Sequence, residues 1–306
     1  MVTVQPIDIL AVNCLHGEGV QWNPDDGCLW WTDISASMLH RWHLDTRTHT
    51  TFATPERLAS FAFIDGRRDL LCAFARGFAL FDPFAGTLCP IEQPEPEGSG
   101  RRFNDGRADR QGRFWVGTMV EDHARAEAFS ASLYCMDRDG DLHVRERGIG
   151  ISNGLCWSPD GSRMYFADST RRTISVYDFD IDSGEISTRR EFARLPEGAE
   201  PDGACVDAEG CLWSAHWGAG QVVRYAPDGT ILDTIPIPAT QPTCVAFAGP
   251  RLDLLCVTSA RIGLDEAALA RQPHAGNLFV FKTGATGLAE SRMSNDFDPL
   301  SRRHMR

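Results

Sequence analysis

The chain has 306 residues, 42% of them hydrophobic and 24% charged, so it can bury a sizeable core in one large domain or two ordinary ones. The formal net charge of −12 argues against a nucleic-acid groove or an anionic membrane surface as the main partner and suits small neutral molecules or cations. No signal peptide is recognisable at the start, and no apolar run approaches the roughly 20 residues of a membrane span. Ten cysteines without a C-x-x-C pair are typical of buried residues in a reducing compartment. We therefore expect a cytoplasmic protein, as a monomer or a weak homo-oligomer.

A turn followed by an apolar strand recurs six times along the chain. Each copy combines Asp, Pro or Gly residues, which set the backbone for a tight turn, with a short apolar run. The copies lie, in chain order, at 24–31, 65–72, 109–116, 158–166, 207–213 and 249–256. The turn glycines of the third, fourth and fifth copies are evenly spaced, which indicates an internal repeat.

A second apolar strand follows each of these copies. These strands lie at 39–42, 78–81, 133–136, 174–177, 222–225 and 278–281, each before a turn and a more polar strand. Only residues 265–271 have a short helical pattern. Six such units predict an all-β fold, a six-bladed β-propeller with four-stranded antiparallel blades, as one domain over 1–306 with an extended tail from about 292. A sandwich pair would not show six copies, and a β-helix would need shorter repeats.

A polar side chain stands eight or nine residues before the turn glycine in four of the six units. These residues are Glu18, Asn104, Asn153 and Asp202, whereas the remaining two units carry 59–60 and 240–241 at this place. In a propeller the innermost strands line the central channel, so the four side chains would converge at one mouth, and a ring of oxygen ligands holds a hard cation. The alternative is that Asn-Gly and Asp-Gly are only turn dipeptides. Without His or Cys at these places a closed zinc site is disfavoured, but not an open one with oxygen ligands.

Five motifs in a fixed order resemble the senescence marker protein 30/gluconolactonase/regucalcin family. They lie at 17–19, 102–106, 117–119, 152–161 and 201–203, and the resemblance extends over about 12 to 281. It implies the propeller predicted above and an enzyme that hydrolyses a sugar (aldono)lactone to the aldonic acid with a divalent metal. A calcium-binding regulator of the regucalcin type, without turnover, is the alternative.

Carried over residue by residue, the resemblance implies that Glu18, Asn153 and Asp202 are metal ligands. It implies that Arg102 and Asn104 bind substrate, together with an acid after the Gly-Thr-Met motif, where both Glu121 and Asp122 fit. The implied cofactor is one divalent ion, with calcium, zinc and manganese as alternatives, and the implied partner is a small-molecule sugar lactone.

Lactone hydrolysis needs a polarised carbonyl, an activated water and a stabilised oxyanion. A divalent cation can polarise the carbonyl and stabilise the oxyanion, and Asp202 can serve as the catalytic base. Arg102 could instead be a structural ion-pair partner. His16, two residues before Glu18, could approach the mouth of the channel, although we expect it to be packed or solvent-facing. We expect Trp217 to pack between blades rather than to contact sugar. The segment 121–132 could be a lid or a long blade connection.

Overall fold

The computed structural model describes residues 5–294 and 296–297 and is built almost entirely from β-strands. The strands form six antiparallel sheets of four strands each, arranged as the blades of a propeller, which confirms the predicted fold. In blades 1 to 5 the strands are consecutive in the chain, and the first strand of each blade is innermost. The predicted tail from about 292 lies largely outside the described residues, although Met293 pairs with Ile64 in an isolated bridge.

The strand boundaries follow the repeat. The first strand of the described residues is β1 (Asp8–Leu10). Blade 1 contains β2 (Gly17–Asn23), β3 (Cys28–Asp33), β4 (Met38–His43) and β5 (His49–Ala53). Blade 2 contains β6 (Leu58–Phe63), β7 (Leu70–Phe74), β8 (Phe78–Asp82) and β9 (Thr87–Glu92). Blade 3 contains β10 (Arg101–Ala108), β11 (Phe114–Val120), β12 (Ala131–Met136) and β13 (Leu142–Ile149).

Blades 4 to 6 complete the ring. Blade 4 contains β14 (Ser152–Trp157), β15 (Arg163–Asp168), β16 (Thr173–Phe179) and β17 (Ile186–Arg194). Blade 5 contains β18 (Glu200–Val206), β19 (Leu212–Trp217), β20 (Gln221–Tyr225) and β21 (Ile231–Pro236). Blade 6 contains β22 (Pro242–Ala248), β23 (Leu254–Ser259), β24 (Leu278–Phe281) and, as its outermost strand, β1.

The last blade is closed by the start of the chain. β1 pairs antiparallel with β24, with Asp8 opposite Val280 and Leu10 opposite Leu278. The expectation that each unit supplies its own outer strand is therefore wrong for the sixth unit. This closure leaves the ring without an open seam between its first and last blades, which removes the unpaired strand edge that an open array would expose there.

Burial falls from the axis of the ring to its rim. Every residue of β14 is buried, whereas most residues of the outermost strand of the same blade, β17, are exposed. Inner strands are covered on both faces by neighbouring blades, while outer strands face water. Aromatic side chains fill the spaces between neighbouring sheets. Trp31, Trp115 and Trp213, on the second strands of blades 1, 3 and 5, are fully buried there.

A turn carboxylate, a tryptophan and an arginine form a repeated cluster in blades 1, 3 and 5. In blade 5 the indole Nε1 of Trp213 donates to Asp207 Oδ2 across 2.9 Å, and Arg224 pairs with the same oxygen at 2.7 Å while lying over the indole ring. The indoles of Trp30 and Trp115 donate to turn aspartates in the same way. The Asp of the repeated turn motif thus anchors the second strand as well as the turn.

The remaining elements are short. Helix α1 (Glu266–Arg271) confirms the helical pattern at 265–271, and Asp265 caps it by accepting from the amide of Ala268 at 2.7 Å. A single turn of 3₁₀-helix spans Ser169–Arg171. All ten cysteines are free. Within the described ranges, no helix has the length and apolar character needed to cross a membrane.

Candidate active site

A cavity of about 370 Å³ lies where one end of the central channel opens. All but one of the residues predicted for the site line it, namely Glu18, Arg102, Asn104, Glu121, Asn153 and Asp202. The exception is Asp122, which lines a neighbouring surface groove and pairs with Arg125 across 3.2 Å. Of the segment 121–132, only Glu121 lines the cavity, and the segment connects β11 to β12.

Breaks in the strand register place the site residues. Glu18 pairs with Thr32, but the next registered pair is Gln21 with Trp30, and the inner strands of the other five blades shift at the corresponding place. Such a bulge bends the strand and re-aims the side chains beside it. At two of these bulges glycine follows the site residue with a positive φ, +60° at Gly19 and +64° at Gly154. The Glu-Gly and Asn-Gly pairs are therefore bulge signals that turn the preceding side chain toward the channel.

The register corrects one position of the sequence alignment. In blade 6 the bulge follows the pair of Pro242 with Ser259, just as in blade 5 it follows the pair of Pro201 with His216. Thr243 is therefore the counterpart of Asp202, not residues 240–241. Counting back from the turn glycine gives the wrong position in the sixth repeat, because the turn of that repeat is degenerate.

Two buried carboxylates face the cavity. Glu18 and Asp202 are only 4% and 6% exposed. Burial, and next the negative charge of Asp105, raise the pKa of Glu18 to about 8. Burial and the charge of Glu18 raise the pKa of Asp202 well above its usual value. Neither carboxylate has an ion-pair partner among the described residues, and Oδ1 of Asp202 accepts no hydrogen bond there. The charges of Arg102 and Arg107 offset part of this increase for Glu18, but neither arginine forms an ion pair with the two acids.

The amide of Asn153 is held with its oxygen available. Its Nδ2 donates to Ser169 Oγ at 2.8 Å, and that hydroxyl in turn donates to the carbonyl of Pro201 at 2.7 Å. Its Oδ1 accepts from Nδ2 of Asn104 at 3.0 Å. These bonds fix which end of the amide is the acceptor, in the way that outer hydrogen bonds orient metal-ligating groups. Asn104 also donates to the carbonyl of Ser152 at 3.0 Å.

Arg102 is buried beside these groups and carries the positive charge of the site. Its Nε donates to Glu121 at 2.9 Å, and its Nη1 donates to the carbonyl of Phe103 and to Oδ1 of Asn104, both at 2.8 Å. Glu121 also accepts two bonds from Arg57, at 2.7 and 2.9 Å. Partial burial raises the pKa of Glu121, but the hydrogen bonds from Arg57 and the charge of Arg102 outweigh it, and the pKa lies at about 2. Glu121 is therefore a fixed anion that positions both guanidinium groups.

The cavity is also lined by apolar side chains. Trp217 and Ile262 line it together with Met119 and Ile151. The expectation that Trp217 packs between blades is wrong, because the end of β19 brings its ring to the mouth of the channel. The expectation for His16 is wrong as well, since this side chain also lines the cavity, with its ring centroid 6.0 Å from that of Trp217. Burial and the charge of Arg102 lower the pKa of His16 to about 3, so that its imidazole is neutral.

Sequence reasoning assigned no role to three ionisable residues of this region. Arg57 and Glu200 line the cavity, and Asp105 lies behind it, buried, with Oδ1 unbonded within the described part of the chain. Burial raises the pKa of both Asp105 and Glu200. Asp105 and Glu200 lie beside the Asn104 and Asp202 motifs in the sequence, and this proximity could have indicated that they belong to the site. Arg57 comes from the connection between two blades and carries no motif.

The donor set fits a hard divalent cation. Glu18, Asn153 and Asp202 offer carboxylate and amide oxygens in one cavity, and an unbonded carboxylate oxygen is already buried there. Oxygen donors of this kind suit Ca²⁺, Mg²⁺ and Mn²⁺, and they leave room for other ligands. A cation would also balance the two acids, whose burial without a counter-ion is otherwise costly.

The fold and this cavity together define a six-bladed propeller with an acidic, oxygen-lined site at one mouth. Residues 16–261 match the family described as the SMP-30/Gluconolactonase/LRE-like region, and the chain belongs to that family. It is 41% identical to L-arabinolactonase of Azospirillum brasilense, over 91% of this chain and 92% of the relative. It is 36% identical to a pentonolactonase of Haloferax volcanii, over 93% and 96% of the two chains.

A solved structure supports the same relationship. The calcium-binding protein regucalcin of Agrobacterium tumefaciens superposes with a TM-score of 0.88 at 33% identity, covering 95% of this chain and 99% of the other. The family that the sequence motifs indicated is therefore confirmed, together with its fold.

Proposed function

We propose that the protein is a hydrolase that opens a sugar lactone to the aldonic acid with the help of one divalent cation. The observation that carries the proposal is the pair of buried carboxylates, Glu18 and Asp202, beside the oriented amide oxygen of Asn153. The similarity to relatives named for L-arabinolactone and pentonolactone hydrolysis supports the substrate class.

Glu18, Asn153 and Asp202 would hold the cation. When bound, it would act as a Lewis acid on the lactone carbonyl and lower the pKa of water. Asp202 is the residue we assign as the base that accepts a proton from the attacking water. Burial and the charge of Glu18 raise its pKa, so a neighbouring positive charge is needed to keep it ionised at neutral pH.

Arg102 and Asn104 form the polar wall for the substrate. Among the described residues, Nη2 of Arg102 has no hydrogen-bond partner, so its two N–H groups are free to bind a lactone oxygen. Asn104 has both N–H groups engaged, so its contact with the substrate would be through Oδ1. Of the two candidate acids, Glu121 is the one we retain, because it lines the cavity and holds Arg102 in place. Asp122 is left without a role in binding.

A calcium-binding regulator without turnover is the second candidate. It is favoured by the similarity to regucalcin, and it would use the same three ligands. The two functions differ in what they need from Arg102, since a regulator requires the ligands alone whereas a hydrolase also requires the substrate wall.

The test is a comparison of metal content and acid release. The purified protein is dialysed, analysed for bound metals, and assayed against a panel of five- and six-carbon aldonolactones by the acid they release. We expect Asp202→Asn to lose metal and turnover together and to remain folded. Asp233→Asn, on the exposed outer strand of the same blade, is the matched control and should keep both.

Two results would overturn the proposal. Full turnover after removal of metal by a chelator would reject the metal dependence. Stoichiometric metal binding that depends on Asp202, without acid release from any lactone of the panel, would instead favour the regulator.

A further inference from the structure

A second group of potential metal ligands lies in blade 1, outside the cavity. It consists of Cys14, Asp33 and His40, each buried, and their ligand atoms all lie within 4.8 Å of one another. The Sγ of Cys14 is 3.9 Å from Nε2 of His40. A tetrahedral zinc site with ordinary Zn–S and Zn–N bonds separates sulfur and nitrogen by about 3.5 Å, so only a small adjustment is needed.

Asp33 has a structural counterpart in blade 4 that serves as an internal control. Asp33 pairs with the first residue of β2 and accepts the amides of Leu15 and His16, at 2.7 and 3.0 Å. Asp168 pairs with the first residue of β14 and accepts two loop amides in the same way, and its charge is balanced by Arg171 at 2.7 Å. Within the described residues Asp33 has no ion-pair partner. It faces a thiol and an imidazole instead.

The imidazole of His40 is already held in the form that binds metal. Its Nδ1 lies 3.0 Å from Nε2 of His49, and the Trp31 ring stacks on it with centroids 4.9 Å apart. With Nδ1 as the donor in that bond, Nε2 presents its lone pair toward Cys14. A second hydrogen bond of this kind is the usual support of a metal-ligating histidine. Burial and the charge of His49 lower the pKa of His40 to about 4, which keeps the ring neutral.

We propose that Cys14, Asp33 and His40 form a structural site for Zn²⁺ or a similar borderline-soft cation. Burial raises the pKa of Cys14 to about 12, so the thiol is protonated in the absence of metal. On binding, the S–H bond is lost, the sulfur bonds to the metal as a thiolate, and the proton leaves to solvent. The mixed sulfur, nitrogen and oxygen donors distinguish this site from the candidate active site, whose three proposed ligands are all oxygens.

The proposed zinc site would lie at the junction between blades 1 and 6. Cys14 lies between β1, the outer strand of blade 6, and β2, the inner strand of blade 1. Its amide donates to the carbonyl of Gly276 in blade 6 at 2.8 Å, whereas Asp33 and His40 belong to blade 1. A metal bound here would clip the junction where the propeller closes, and it would also fix the segment that leads to Glu18.

Cobalt substitution tests this proposal in the full-length protein. Co²⁺ bound to a thiolate gives a near-ultraviolet sulfur-to-metal charge-transfer band, which ligands of the candidate active site cannot produce because they are all oxygens. We expect this band in the wild-type protein and in Asp202→Asn, with one proton released per thiolate formed. Cys14→Ser should abolish the band. Cys256→Ser, which alters a buried cysteine of the same core cluster, is the matched control and should retain it.

Thermal unfolding gives an independent readout. In the Asp202→Asn background, which removes a ligand of the candidate active site, Zn²⁺ should raise the Tm, because a ligand that binds the folded state stabilises it. It should still do so after Cys256→Ser is added to that variant, but not after Cys14→Ser is added. The proposal is overturned if the cobalt-loaded wild type lacks the sulfur band, which needs no variant to fold. It is equally overturned if the band persists in Cys14→Ser.

Discussion

The side-chain amide of Asn104 donates to Oδ1 of Asn153 across 3.0 Å, and this bond joins the inner strands of blades 3 and 4. Because Asn104 also accepts from Arg102 at 2.8 Å, one side chain connects the proposed substrate wall to a proposed metal ligand. We expect Asn104→Ala to lower metal affinity by about 10–100-fold, the usual cost of removing a support of a ligand. Metal titration by calorimetry measures it. Asn23→Ala, at the far end of β2, should leave the affinity unchanged, and equal losses in both variants would contradict the assignment.

Arg102→Lys tests whether catalysis depends on the guanidinium group of Arg102 and not only on its positive charge. Lysine keeps the charge but cannot donate to Glu121, Phe103 and Asn104 at once, so the group facing the lactone loses its fixed direction. We expect kcat/KM to fall about 10–100-fold with metal content unchanged. Arg101→Lys is the neighbouring control, since Arg101 pairs with Glu95 away from the cavity. Loss of metal in Arg102→Lys would refute the division of the site into ligands and substrate contacts.

The two buried acids predict a pH dependence of the stability of the metal-free protein. The pKa of Glu18 is raised from an ordinary 4.5 to about 8, and that of Asp202 moves in the same direction. A group whose pKa is higher in the folded than in the unfolded protein contributes its full stabilisation at a pH below the unfolded pKa. This contribution to the folded state is lost as the pH rises through the folded pKa. We therefore expect the Tm in chelator to decline between about pH 5 and 8.

The control for this prediction is Glu18→Gln, which has no proton to release at that position and should show a shallower decline. A saturating divalent cation should remove the decline in the wild type, because it favours the ionised carboxylates. A chelated protein whose Tm is flat over this range, or a Glu18→Gln variant with the same slope, would show that the acids do not carry the effect.

Trp217 predicts an effect on substrate affinity. Its ring lines the cavity together with Ile262. We expect Trp217→Ala to raise KM for the best lactone about 3–10-fold with a smaller change in kcat, the magnitude expected for one lost aromatic contact. Trp217→Phe should recover much of the affinity. An unchanged KM in the alanine variant would place the substrate on the other side of the cavity.

Stability should depend on the turn aspartates far more than on exposed acids that pair with the same arginines. Asp207→Ala leaves the indole of Trp213 and the guanidinium of Arg224 without their buried acceptor, and we expect a loss of about 3 kcal/mol or more in unfolding free energy. Glu209 is the other partner of Arg224, and the Glu209 side chain is 76% exposed. Glu209→Ala should therefore lower the unfolding free energy by about 1 kcal/mol or less. Urea unfolding of both variants measures the contrast, and similar losses would contradict it.

The repeat, and with it the fold, could be predicted because the turn and the strand after it are local features. Asp207 and Trp213 lie in one short stretch, and the same stretch recurs in other blades. The outer strand of blade 6 could not be found in this way. β1 has three residues and no repeat signature, and it is defined only by pairing with a strand at the opposite end of the chain.

The site residues, too, could be predicted only where a local sequence pattern marks them. Glu18 and Asn153 were recognisable because each stands before a glycine that the bulge requires at positive φ. Trp217 and His16 were assigned wrongly, because their place in the cavity depends on how connections from different blades meet, which no local pattern records. Adjacent residues can also differ, as Glu121 and Asp122 do: the chain leaves β11 at Val120 and turns at Asp122, so that only Glu121 lines the cavity.

The pairing of β1 with β24 bears on the order in which the protein is made. β1 is synthesised before its partner β24, so blades 1 to 5 can form before blade 6 can be completed. Until β24 has been made, β1 stays unpaired, and the contact between these two strands has to close a long loop, which is slow. A truncated or stalled chain should therefore carry an exposed strand at each end, and either could capture the matching strand of a second copy.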